Sequence, residues 1–242
     1  MDEFFSRSEA MLGAEAMEAL RHKRVILFGV GGVGSWCAEA LVRTGLTHLT
    51  IVDDDVVQAS NTNRQLPATR ETIGRPKVEV LKERLLTINP EAEIVALCER
   101  YTEETSFYFH LSTFNFIIDA IDSVNDKTDL ILNATRARVK IFSSMGAALR
   151  FDPTQVTTGE LMSIKGDALA KAVRARMKKL DMRPYRKVRC VYSTENAIRT
   201  QSKDRVADRT QTENQSTIKG SLMQVTAVFG CTLASMVIKD LL

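Results

Sequence analysis

Short apolar runs alternate along the chain with longer stretches whose apolar positions repeat at helical spacing. The stretch from Met11 to His22 predicts an amphipathic helix, and the run from Val25 to Val30 predicts a strand. Glycines between positions 29 and 34 break this run, and Ser35 to Thr44 resumes at helical spacing. A strand, a glycine turn and a helix in this order indicate the start of a Rossmann-like unit.

The same alternation continues along the chain. Further strands are predicted at His48 to Val52, Ile94 to Leu97, Phe116 to Ala120 and Lys140 to Ser144, and helices at Lys77 to Ile88 and Asp126 to Arg138. Strands that alternate with helices indicate an α/β fold, so we expect a mostly parallel sheet flanked by helices.

The pattern changes after Gly146. β segments are predicted at Gln155 to Leu161 and Val188 to Ser193, on either side of a basic helix. The polar stretch from Gln201 to Ser221 predicts a mobile crossover loop. The apolar stretch from Leu222 to Leu242 fits a buried core helix better than a membrane span.

Composition favours one cytoplasmic domain. With 242 residues, of which 44% are hydrophobic, the chain can bury one sizeable core. No apolar run suits a membrane span, and Met1 to Met11 has no signal-peptide core, so we expect no membrane partner. The four cysteines form no C-x-x-C pair, which argues against a disulfide framework and a structural zinc site. The net charge of +3 does not by itself indicate a nucleic-acid binder.

The glycine loop predicts a nucleotide site. Gly29, Gly31, Gly32 and Gly34 lie between a strand and a helix, where bare N–H groups and the helix amino terminus can face a phosphate. About twenty residues on, Asp53 ends the next strand, where it can accept hydrogen bonds from a ribose. NAD enzymes and some ATP enzymes share these features, and a tight turn without a ligand is the alternative.

Residues beyond Asp53 favour ATP. Arg64 and Lys77 are cations on the nucleotide side of the sheet, and they suit the charge that develops when a carboxylate attacks the α-phosphate and pyrophosphate leaves. Asp122 ends a later strand and offers the oxygen ligand that Mg²⁺ prefers. The alternatives are two solvated cations and a helix-capping aspartate.

Six motifs together resemble a known family. They are Gly31-Gly32-Val33-Gly34-Ser35-Trp36, Thr62-Asn63-Arg64-Gln65, Ile88-Asn89-Pro90, Ile118-Asp119-Ala120-Ile121-Asp122-Ser123, Asp152-Pro153-Thr154 and Cys190-Val191-Tyr192-Ser193-Thr194-Glu195. The chain resembles the MoeB, ThiF and HesA adenylyltransferases, which are related to ubiquitin-activating enzymes. Motifs outside the ATP site make it most similar to their tRNA threonylcarbamoyladenosine dehydratase branch.

The resemblance implies roles for particular residues. It implies a single ThiF-type domain over residues 1–242, with an ATP-binding half at 1–146 and a half for substrate binding and dimerisation at 147–242. It gives the ribose to Asp53, the phosphates to Asn61, Arg64 and Lys77, and the magnesium ion to Asp122. The nucleotide site would also include Asp55 and the glycines, and Arg7 would reach the site of a partner subunit in a homodimer.

The implied reaction is the ATP-dependent cyclisation of N6-threonylcarbamoyladenosine beside the tRNA anticodon. ATP activates the threonyl carboxylate, and a ring then closes with loss of water, with Arg64, Lys77, Asp122 and Arg7 as the catalytic residues.

Two other functions remain open. Activation of a ubiquitin-like sulfur carrier is the main alternative, although the zinc-binding C-x-x-C pairs usual in MoeB and ThiF relatives are absent. A non-catalytic or redox nucleotide-binding module is the other. The sequence also leaves open whether a cysteine desulfurase or another sulfur-acceptor system is a partner. Cys190 is either an acyl acceptor or a packed hydrophobe, and Cys231 is expected in the core.

A basic segment runs from Lys171 to Arg189. Leu169, Val173, Met177 and Leu180 predict an apolar stripe on its helix. The cations predicted to bind tRNA phosphates on another face are Lys171, Arg174, Lys178 and Lys179, and Tyr185 and Tyr192 are candidates for stacking on a base. A solvated helix face is the alternative.

Overall fold

The computed structural model describes residues 3–198 and 220–242. Its strands are β1 (Arg24–Phe28), β2 (His48–Val52), β3 (Glu93–Leu97), β4 (Phe116–Asp119), β5 (Lys140–Ser144), β6 (Val156–Glu160) and β7 (Arg189–Ser193). Its α-helices are α1 (Ser6–Leu12), α2 (Ala14–Arg21), α3 (Gly34–Thr44), α4 (Lys77–Ile88), α5 (Val124–Arg136), α6 (Ala168–Lys179) and α7 (Met223–Lys239).

The strands form one sheet in the order β3-β2-β1-β4-β5-β7-β6. All neighbours pair in parallel except β6, which runs antiparallel to β7 at one edge. The predicted α/β class with a mostly parallel sheet is therefore confirmed. The strand order reverses between β1 and β4, and ligands of such sheets bind at the carboxyl ends of the strands beside this reversal.

Both faces of the sheet are buried. Along β1, Val25 and Leu27 point into one hydrophobic core, and Ile26 and Phe28 point into another. The first core includes α3, α4 and α7, and the second includes α5 and α6. Helices on both faces explain why the strands read as continuous apolar runs.

The amino-terminal helix differs from the prediction. A single helix from Met11 to His22 was expected, but the chain forms α1 and α2 with Gly13 between them at φ 85°. This left-handed conformation ends a helix and is accessible to glycine at low cost. Met11, expected on the apolar face, is 85% exposed on α1.

The closing helix α7 packs against α3. Gly230 makes this contact close, because a Cβ there would lie 2.5 Å from Val33 O and 2.8 Å from Cys37 N. No helix within the described ranges is long and apolar enough to cross a membrane. The predicted loop at 201–221 lies outside the described residues except for its last two positions.

We expect Gly230→Ala to destabilise the protein by about 1–3 kcal/mol, because the added methyl group forces α7 away from α3. Gly220→Ala is the control, since a Cβ there meets nothing within 4 Å. Urea unfolding of both variants measures the difference. Equal midpoints for Gly230→Ala and the wild type would contradict this packing.

Candidate nucleotide-binding site

The glycine loop begins at a point fixed by three strands. Gly29 has φ 87°, and its N–H donates to Val52 O at 2.8 Å at the end of β2. A Cβ on Gly29 would lie 2.8 Å from Ala120 O, just beyond β4. No other residue type meets both conditions without strain. The loop therefore leaves β1 into the crevice at the strand reversal and enters α3 at Gly34, one residue before the predicted start at Ser35.

Asp53 holds this loop from the end of β2. Its Oδ2 accepts the Val30 N–H at 2.7 Å, and its Oδ1 accepts the Asp55 N–H at 3.0 Å. Burial raises the pKa of Asp53, while the neighbouring Lys77 acts in the opposite direction. The carboxylate predicted to bind the ribose thus also orders the phosphate loop.

Lys77 is the first residue of α4 and is buried. Its Nζ donates to Asp55 Oδ2 at 2.6 Å and lies 4.0 Å from Asp53 Oδ1. The alternative that Lys77 is a solvated charge is therefore wrong. Burying this ammonium costs free energy that the two carboxylates offset, and they fix it on the nucleotide side of the sheet.

Arg64 packs against the glycine loop. Its Cγ would lie 3.2 Å from a Cβ on Gly32, and its carbonyl accepts the Trp36 indole N–H at 3.0 Å. The guanidinium donates to Ser60 O at 2.9 Å and to Asn63 Oδ1 at 3.0 Å. These are neutral acceptors, so the charge remains uncompensated where a phosphate would lie.

Asn61 and Gln65 lie close to Arg64 and extend this side of the nucleotide site. Asn61 is buried, and its Oδ1 accepts the Gln58 N–H at 3.0 Å, which shapes the turn that presents Arg64. Gln65 ends the motif that contains Arg64 and lies over Gly31, and its buried Oε1 has no hydrogen-bond partner among the described residues. A buried amide without a partner is costly, so Gln65 is a candidate ligand contact.

Asp122 lies just beyond β4 and is exposed. Ser123, rather than Asp122, caps α5 by accepting the Asp126 N–H at 3.4 Å, so the capping alternative for Asp122 is wrong. Arg100 faces the same region: it is paired with Asp126 at 2.8 Å, and the pKa of Arg100 is raised first by Asp126 and further by Asp54 and Asp122. Arg100 belongs to none of the sequence motifs that predict the nucleotide site, so its position became apparent only from the fold.

The donor set suits a hard cation. Asp53, Asp54 and Asp55 each offer an oxygen within 4.8 Å of the others, and carboxylate oxygens are preferred Mg²⁺ ligands. Asp122 is not part of this acidic group. No hydrogen bond engages the Asp122 carboxylate within residues 3–198 and 220–242, so it keeps its lone pairs for a ligand.

A buried ion pair lies beneath the crevice and was also missed. Lys127 on α5 is fully buried, and its Nζ donates to Asp119 Oδ2 at 2.7 Å, Ser144 O at 2.9 Å and Ser143 Oγ at 3.3 Å. Asp119 Oδ1 accepts the Ile121 N–H at 3.1 Å. This network joins the carboxyl ends of β4 and β5 and fixes the turn that carries Asp122.

The two candidate thiols are differently placed. Cys190 is buried in β7, and burial raises the pKa of its thiol well above the ordinary range. The position of Cys190 favours a packed hydrophobic residue over an acyl acceptor, because a neutral buried thiol is a poor nucleophile. The expectation that Cys231 lies in the core is wrong. Cys231 is on the exposed face of α7, next to the buried Gly230.

Some of the basic side chains on α6 are exposed, and others contact the protein. Lys171, Lys178 and Lys179 are exposed, but Arg174 is half-buried and donates to Leu161 O at 2.8 Å. Arg174 thus has one donor on the protein itself, and its role in phosphate binding stays a prediction. Leu180 lies outside the apolar stripe, being 40% exposed. Tyr185 is exposed, whereas Tyr192 is half-buried against Gly159.

Arg7 is remote from the nucleotide site of its own chain. It is exposed on α1, two residues from Phe5, which packs against Gly45 at the end of α3. The glycine loop lies at the opposite end of α3, about 16 Å away for an eleven-residue helix. Arg7 therefore lies on the side of the sheet where the strands begin, opposite the glycine loop.

Comparisons with known proteins match this architecture. The model of the ThiF family matches residues 5–242. A Bacillus subtilis tRNA threonylcarbamoyladenosine dehydratase is 40% identical over 80% of this chain and 76% of its own length. The structure of Escherichia coli tRNA N6-threonylcarbamoyladenosine dehydratase in complex with ATP is 32% identical, with TM-score 0.87, over 98% of this chain and 93% of that chain.

A more distant relative represents the alternative function. The molybdopterin-synthase adenylyltransferase of Salmonella typhimurium is 32% identical over 57% of this chain and 54% of its own length.

We expect Lys127→Met to destabilise the fold by about 3–5 kcal/mol, because it leaves the Asp119 carboxylate buried and unpaired. The double variant Lys127→Met with Asp119→Leu should recover much of this loss, since both charges are then absent. Chemical denaturation of the two variants tests the pair. A double variant less stable than Lys127→Met would show that the two side chains are not energetically coupled in this way.

Proposed function

Because this chain belongs to the ThiF family, we propose that it is an ATP-dependent tRNA threonylcarbamoyladenosine dehydratase. The observation that carries the ATP chemistry is the buried ammonium of Lys77, held by Asp53 and Asp55 beside the glycine loop. The relatives named for this activity match most of the chain and support the choice of substrate. We also propose a cytoplasmic location, where its proposed tRNA substrate is found.

The proposed chemistry has two steps. An oxygen of the threonyl carboxylate bonds to the α-phosphorus of ATP, and pyrophosphate leaves. An atom of the adjoining carbamoyl group then bonds to the acyl carbon, and AMP leaves with the former carboxylate oxygen. The product has lost one water, whose oxygen departs on AMP and whose protons pass to solvent.

The site residues divide this work. Arg64 and Lys77 stabilise negative charge that grows on the phosphates during the first step. Asp122 would hold Mg²⁺, which would supply positive charge to the phosphates, and Asp53 binds the ribose. Gln65 directs its amide to the nucleotide, and Arg100 holds the acidic side of the crevice in place. In this proposal residues 1–146 bind ATP, and residues 147–242 bind substrate and contribute to dimerisation.

A homodimer explains the position of Arg7. Because α1 lies near the amino ends of the strands, on the side opposite the glycine loop, Arg7 would reach a nucleotide across a subunit interface. Phe4 and Met11 are highly exposed on the same amino-terminal segment, which supplies apolar surface for a second copy.

Activation of a sulfur-carrier protein is the second candidate. The adenylyltransferase relative supports the shared nucleotide half, since it aligns with little more than half of the chain. The motifs beyond that half, and the absence of C-x-x-C pairs, favour the tRNA substrate.

When the protein is incubated with ATP, Mg²⁺ and tRNA that carries uncyclised N6-threonylcarbamoyladenosine, it is expected to yield a nucleoside lighter by one water. Arg64→Ala should lower this turnover by about 10² or more, because the charge at the phosphates loses its cation. Mass spectrometry of digested tRNA follows the product, and Arg70→Ala, an exposed arginine nearby, is the control. Conversion supported by NAD instead of ATP would refute the proposed chemistry.

Mixed dimers test the reach of Arg7. Arg7→Ala and Arg64→Ala subunits should each be impaired alone, but mixing them should restore activity, because one site per mixed dimer has both arginines. The rate is measured after subunit exchange, which native mass spectrometry of a size-tagged subunit verifies. Complete exchange without recovered activity would show that Arg7 does not act in trans.

A further inference from the structure

The turn between α6 and β7 forms a basic concavity that the nucleotide site does not use. Its volume is about 350 Å³, and it is lined by Glu160, Met162, Arg183, Pro184, Arg186 and Lys187. We call Arg183, Arg186 and Lys187 the turn cations. All three are exposed, and none forms an ion pair within residues 3–198 and 220–242.

The backbone of this turn is firmly held. Asp181 adopts φ 53° where α6 ends, and the Tyr185 N–H donates to the buried Thr135 Oγ1 of α5 at 3.3 Å. Arg186 Nη1 donates to Arg138 O at 3.2 Å, and the Leu161 N–H donates to Val188 O at 2.9 Å. The cations are therefore presented from a fixed frame, which lowers the entropy lost on binding an anion.

Acidic groups near the turn do not neutralise it. Glu160 lines the concavity, but its Oε2 accepts the Met162 N–H and the Ser163 hydroxyl, both at 3.1 Å. Asp181 is exposed beside the turn and forms no ion pair in the described part of the chain. Three cations against these two carboxylates leave the turn with an excess of positive charge.

One cation of the neighbouring helix is already neutralised, because Arg176 pairs with Asp129 at 3.2 Å. Arg174 donates to Leu161 O, and Arg186 donates to Arg138 O, so each has one donor on a neutral carbonyl and keeps its charge.

The turn lies far from the reacting atoms. Asp167 at the start of α6 accepts the Gly146 N–H at 3.1 Å, just beyond the carboxyl end of β5. The turn follows the other end of this twelve-residue helix, about 18 Å away, and precedes the amino end of β7. An RNA bound at the nucleotide site must therefore extend over several nucleotides to reach the turn.

We propose that the turn cations bind backbone phosphates of the RNA stem that flanks the modified nucleotide. This inference rests on the proposed tRNA substrate and assigns to it a second contact, remote from the chemistry. In this proposal the RNA runs from the modified nucleotide beside the anticodon into the adjoining stem. Contacts to phosphates position the RNA without reading its sequence.

The test uses the full-length protein and two RNAs, an anticodon stem–loop and the same loop without its stem. The wild type should bind the stem–loop more tightly than the loop. In the triple variant Arg183→Ala, Arg186→Ala, Lys187→Ala, stem–loop affinity should fall by about tenfold or more, and the salt slope by about two to three units. Affinity for the stemless loop and for ATP should change little.

A matched control removes the same charge elsewhere, through Lys23→Ala, Arg70→Ala and Lys239→Ala. If this control weakens stem–loop binding as much as the turn variant does, net charge and not the turn accounts for the effect, and the inference fails. It also fails if the turn variant keeps the wild-type preference for the stem. A wild type that neither binds nor converts tRNA would instead overturn the proposed function.

Discussion

The approach of Gly29 to the end of β4 is the contact on which the rest of the site depends. Only a residue without a side chain can hold this backbone between Val52 and Ala120. Once Gly29 is placed there, the loop opens into the crevice and Asp53 can reach the Val30 amide. α3 then begins where its amino terminus can face a phosphate. The strand reversal supplies the crevice, and this one glycine directs the chain into it.

Charge in the site is arranged in two layers. Asp53 and Asp55 hold Lys77 beside the glycine loop, so the positions of these three side chains are set before any ligand binds. Arg64 is bonded only to neutral acceptors and keeps its full charge for a ligand. The first layer fixes the positions of the side chains, and the second attracts the negatively charged phosphates. A nucleotide triphosphate therefore meets donors that are already in position, which lowers the cost of reorganisation during reaction.

The strands and the glycine loop could be predicted because their signals are local. A buried parallel strand is a short apolar run, and a phosphate loop is a run of glycines in order. The missed features depend on tertiary contacts. Lys127 looks like an ordinary helix cation until α5 packs it against Asp119, and Arg174 looks free until Leu161 is placed beside it. The helix break at Gly13 was hidden because apolar residues on both sides continue the helical spacing. Cys231 was misplaced because α7 is apolar on nearly every side, which weakens periodicity as a guide to its buried face.

The Asp119, Lys127 and Ser143 network has an evolutionary consequence. Each of the three side chains satisfies another, and none of them contacts water. Replacing one of the three leaves the other two buried without their hydrogen-bond partner. A substitution at one position is therefore tolerated only together with, or after, a substitution at its neighbours. Across descendants of this sequence the three positions should be inherited as a set. Rare exceptions should replace the whole set with apolar residues of similar volume.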